Sequence, residues 1–97
     1  MIANILANVL VLPLLVGASS ALEEEIRKGE EAFARGDLAG SLVHWSLALH
    51  RAREEGDPVE LDLLLRLATA NRELGRLTQA RELVAMAESL AQEEPLA

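Results

Sequence analysis

The chain has 97 residues, 51% of them hydrophobic, with 16 acidic and 9 basic side chains and a formal net charge of −7. That length supports one small domain, and the acidic balance excludes a surface for nucleic-acid backbones, which need clustered cations. The absence of cysteine excludes disulfides, thiolate metal sites and cysteine nucleophiles.

Residues 1–22 carry no charged side chain, so all 25 charged residues (16 acidic and 9 basic) lie in 23–97. Three readings fit the apolar segment 1–21. The run Ile5–Val16, followed by Gly17-Ala18-Ser19-Ser20-Ala21, suits a signal peptide, with Ser19 and Ala21 spaced as a small-x-small cleavage site. The same stretch can just span a bilayer as an uncleaved anchor kinked at Pro13. The cations Arg27, Lys28 and Arg35 would then favour a cytoplasmic C-terminal domain. It could also pack in the core of an oligomer, where Asn4 and Asn8 share one helix face. An exported or membrane-associated protein is expected in either of the first two cases.

From Ala21 onward the apolar spacing is helical throughout. The first predicted helix is Ala21–Arg35. Glu23, Glu24 and Glu25 load its first turn, where acids favour the positive end of the helix dipole, and it stops at Gly36-Asp37. The second is Leu38–Glu55, with the stripe Leu38, Leu42, Trp45, Leu49 and Ala52. Gly56-Asp57-Pro58 ends it, with Asp57 placed to cap the next helix. The third, Pro58–Leu74, turns Leu61, Leu64, Leu65, Ala68 and Leu74 inward. The fourth, Leu77–Glu94, turns Leu77, Ala80, Val84, Ala87, Leu90 and Ala91 inward, and Pro95 blocks its continuation. The links are too short for anything but antiparallel neighbours. The fold class is all-α, with an apolar N-terminal helix before four amphipathic helices.

The two hairpins, 22–55 and 58–94, match at an offset of 39 residues. Gly29 falls on Ala68, Gly36-Asp37-Leu38 on Gly75-Arg76-Leu77, Ser41 on Ala80, Trp45 on Val84 and Ala48 on Ala87. The small residues suit close helix crossings, and the larger ones fill space between hairpins.

On these residues the sequence resembles the tetratricopeptide repeat family, over about residues 22–94. One unit carries Gly29, Gly36-Asp37-Leu38, Ser41, Trp45 and Ala48. The second carries Leu64, Leu67-Ala68, Gly75-Arg76-Leu77, Ala80, Val84 and Ala87. Glu25 and Lys28 stand where the family has bulky apolar residues, and Arg53 and Gln92 where it has proline. The unit length resembles the bacterial repeats of roughly 40 residues that accompany caspase-like domains; no such domain is present here. The resemblance implies a right-handed α-solenoid fragment and a non-catalytic scaffold or adaptor for a protein partner. Its groove would be lined by Glu23, Ile26, Glu30, Phe33 and Ala34 of the first helix, then Asp62, Leu65, Thr69, Arg72 and Glu73 of the third. Acidic and apolar residues in that groove suit a basic or apolar partner segment. Two units are fewer than such arrays usually need, so one face of the last helix is expected to lie uncovered.

No catalytic pattern competes with this reading. His44 and His50 are six residues apart and cannot form an i, i+4 ligand pair. The glutamates fall at helix ends and solvated faces. Ser19, Ser20, Ser41, Ser46 and Ser89 lack a nucleophile-elbow setting, and there is no phosphate-binding glycine loop. Neither a cofactor nor a metal is expected. The alternative function is structural: a subunit of a membrane complex or self-assembling filament, with residues 1–21 in its core.

Overall fold

The structure is a computed structural model that describes residues 20–93. Of the apolar N-terminal segment 1–21, residues 1–19 lie outside those described, and residues 20 and 21 begin the first helix. Four helices and no strand are present among the described residues. They are α1 over 20–34, α2 (Leu38–Glu55), α3 (Glu60–Glu73) and α4 (Leu77–Glu93). The predicted helix order stands, and most bounds move by a residue or less. The larger shift is at α3, expected from Pro58. The Asp57 carboxylate accepts from the Val59 N–H at 2.9 Å and its carbonyl accepts from the Glu60 N–H at 3.2 Å. Pro58 and Val59 therefore form a turn before the helix instead of its first residues.

Two helix ends 39 residues apart close in the same way. At the end of α1 the Asp37 N–H donates to the Ala32 carbonyl, and at the end of α3 the Arg76 N–H donates to the Asn71 carbonyl, both at 2.8 Å. This six-residue closure needs a left-handed residue just before the donor. Gly36 and Gly75 supply it, with φ of 82° and 80°. Asp37 then starts α2, its carboxylate accepting from the Gly40 N–H at 2.9 Å.

The chain doubles back at Gly36-Asp37, because residues near the middle of α1 meet α2. Trp45 donates its indole N–H to the Ile26 carbonyl at 3.2 Å, and His44 Nδ1 lies 2.9 Å from the Glu25 carboxylate. One apolar core runs through the molecule, built on Leu22, Trp45, Leu49, Leu63, Leu64 and Leu67 with small Ala48, Ala52, Ala70 and Ala87 between them. Both buried polar side chains bond to backbone of their own helix. Ser41 Oγ donates to the Leu38 carbonyl at 2.7 Å, and Asn71 Nδ2 donates to the Leu67 carbonyl at 2.8 Å.

The inner faces of α3 and α4 differ from expectation. Leu65 of α3 and Leu74 just past its end are exposed, while Leu63, Leu67 and Ala70 are buried. α3 packs against α2 on one side and α4 on the other, so it buries two strips rather than one. On α4, Leu77, Val84 and Ala91 point outward and Leu83 joins the core instead. No described element packs on that outer side.

Candidate functional site

The expected groove residues divide among three settings. Glu30, Phe33, Ala34 and Thr69 line a cavity of about 330 Å³ with Trp45 and Arg66. Leu65, Thr69 and Arg72 line a larger groove of about 510 Å³ shared with α4. Glu23, Ile26, Asp62 and Glu73 border neither of these two spaces.

The cavity is floored by Trp45, only 4% exposed. The indole is seated against Gly29: a Cβ built there would lie 2.9 Å from Cε2 and closer still to two other ring atoms. Phe33 meets the indole with centroids 5.6 Å apart and planes tilted by 33°, one of the offset geometries favoured by aromatic pairs. Arg66 of α3 reaches over the same ring, its Cζ 5.7 Å from the centroid, within cation–π range.

Arg66 is the residue missing from the sequence reading. Its Nε donates to Asp62 and its Nη1 to Glu30, both at 2.6 Å, so it ties α3 to α1 across the cavity mouth. Partial burial pulls its pKa down, but the bonds from Asp62 and Glu30 outweigh this and hold it above the usual arginine value. The Asp62–Arg66 half was legible as an i, i+4 pair; the bond to Glu30 spans 36 residues and had no local signal. The result is an apolar pocket whose rim charges, Glu30 and Arg66, are already paired, with Asp62 holding Arg66 from outside the pocket.

The outer side of α1 is charged. Arg27 bonds to both Glu24 and Glu31, and Lys28 lies 3.9 Å from Glu25. The hydrogen bonds that Arg27 donates to Glu24 lower the pKa of Glu24 from its ordinary value and raise that of Arg27. Two glutamates are not on solvated faces: Glu25, whose side chain is 16% exposed and held by His44, and Glu60, 24% exposed and held by Arg53.

Chemically, the cavity offers apolar surface, an aromatic floor and fixed charges at the rim. Its lining residues include no nucleophile–base pair, and no group of metal-ligating side chains occurs among the described residues. Nor is any helix there long and apolar enough to cross a membrane. Comparison of the chain with protein-family models, curated proteins and solved structures found no match.

Proposed function

We propose that the protein is a non-catalytic scaffold of tetratricopeptide type that holds a protein partner on its α1–α3 side. The observation that carries this reading is the cavity between the hairpins. Phe33 and Trp45 give it apolar walls, and Glu30, Arg66 and Thr69 give it a polar rim. A small apolar space with a few convergent polar groups is what an anchoring side chain needs. Glu23 and Glu73, expected as groove residues, are exposed and have no ion-pair partner among the described residues. A partner segment with one apolar anchor and a neighbouring basic residue suits that chemistry. The uncharged stretch 1–22 supports placing this scaffold at or beyond a membrane.

The test is photo-crosslinking in the source organism. A photoreactive side chain at Ala34, on the cavity rim, is expected to capture one discrete protein. The same group at His50, exposed on α2, is expected to capture none. Identical patterns from the two positions would remove the cavity from the function.

A further inference from the structure

The outer side of α4 carries one continuous stripe. Leu77, Arg81, Val84, Glu88 and Ala91 are all exposed and follow one another at steps of four, three, four and three residues, the spacing of a helix–helix seam. Leu77 is 53% exposed and Val84 38%. The positions 39 residues earlier, Leu38 and Trp45, are half-buried and buried, with α3 seated on Trp45 through Arg66. The 510 Å³ groove beside the stripe is therefore the second hairpin's counterpart of the face that α3 covers on the first hairpin.

A second molecule cannot cover it by continuing the array with its own α1. The residues of α3 that face the core, Leu63, Leu67 and Ala70, correspond to Glu24, Lys28 and Glu31 in α1. Docking α1 as α3 docks would bury three charged side chains, which is strongly unfavourable.

The stripe is instead complementary to itself in one orientation. We propose that two copies of this chain pair through antiparallel α4 helices centred on Val84. In that arrangement Val84 meets the partner's Val84, and Leu77 meets the small side chain of the partner's Ala91. Arg81 comes beside the partner's Glu88, and the symmetry repeats each contact. Arg72, which lines the groove near Leu77, comes beside the partner's Glu93 at the negative end of that helix. Among the described residues Arg72, Arg81 and Glu88 form no ion pair within the chain, so all three are available for these contacts. A parallel pair would set arginine against arginine and glutamate against glutamate, which is repulsive. An isologous two-fold pair also closes on itself, as most homo-oligomers do. The contact uses the α4 end of the molecule and stands or falls separately from the reading of the α1–α3 cavity.

The absence of native cysteine makes the test clean. Full-length Val84→Cys is expected to form covalent dimers with a short bis-maleimide. Leu77→Cys and Ala91→Cys are expected to join each other when mixed, and Leu77→Cys is expected not to join itself. Val43→Cys, exposed and apolar but on α2, is expected to stay monomeric. Arg81→Glu or Glu88→Arg alone should lower Val84→Cys crosslinking about tenfold, and the two together should restore it. Every position changed is exposed, and circular dichroism checks that each variant keeps its helix content. Four results would each overturn the proposal: a monomeric Val84→Cys, equal self-crosslinking at Leu77→Cys, equal crosslinking at Val43→Cys, or failure of the double reversal to restore.

Discussion

Gly29 has no side chain, yet it decides where Trp45 sits. The indole occupies the space that a Cβ would take, and there it reaches the Ile26 carbonyl and the Phe33 ring. At the matching place in the second hairpin the pair is Ala68 and Val84. Small-with-large has become medium-with-medium. Gly29→Ala gains about 1 kcal/mol of helix propensity but forces a rigid ring out of place, at a cost of about 1–3 kcal/mol. The expected outcome is net destabilisation in urea unfolding. In a Trp45→Val background, which already opens a cavity, the same Gly29→Ala change is expected to be neutral or stabilising, because the clash is gone. A double-mutant cycle measures the difference. Equal effects in both backgrounds would mean that the close approach to the indole carries no energy.

Among the elements, the two end helices show what the sequence could and could not reveal. The four helices were readable from apolar spacing, and their ends from Gly36, Gly56 and Gly75. The buried face of α3 was not. Its run Leu61, Leu63, Leu64, Leu65 and Leu67 fills more than one stripe, so periodicity alone cannot say that Leu65 is the one left out. α3 packs on two neighbours, and only the assembled stack selects the faces. The same limit hid Arg66, whose bond to Glu30 depends on α1 and α3 lying side by side. The charged outer face of α1 was readable in part, since Lys28 stood out where the resembled family has a bulky apolar residue; Glu25 stood out too, but the structure pairs it with His44 of α2. Its consequence needs the structure: among the described residues α1 closes one side of the stack with charge, while α4 leaves an apolar stripe open at the other. Converting α1 to the pattern of α3, by Glu24→Leu, Lys28→Leu and Glu31→Ala together, removes that asymmetry. The variant is expected to form concentration-dependent open chains, because head-to-tail contacts do not close. Sedimentation velocity would detect them, and an unchanged distribution of species would show that α1 is not what stops propagation.

At the scale of the whole molecule, stability is distributed along a line of neighbouring contacts, as in stacked helical arrays. α1, α2 and α3 meet around Trp45, whereas α4 touches this line mainly through α3. α4 packs on one side only and leaves Leu77, Val84 and Met86 exposed, so it is the helix expected to melt first when the protein is a monomer. The chain holds one tryptophan and no tyrosine, which turns the indole into a built-in optical gauge of one half of the protein. Its emission follows the meeting of α1, α2 and α3 and is blind to α4. Far-ultraviolet circular dichroism counts all four helices. In dilute solution the dichroism is expected to begin falling at lower urea than the emission shifts, and coincident curves would mean that the four helices unfold as one unit. Where the two signals part, the gap between them reads out the attachment of the last helix. Anything that settles on α4 would narrow that gap by moving the dichroism curve, with the indole on the far side of α3 as the fixed reference.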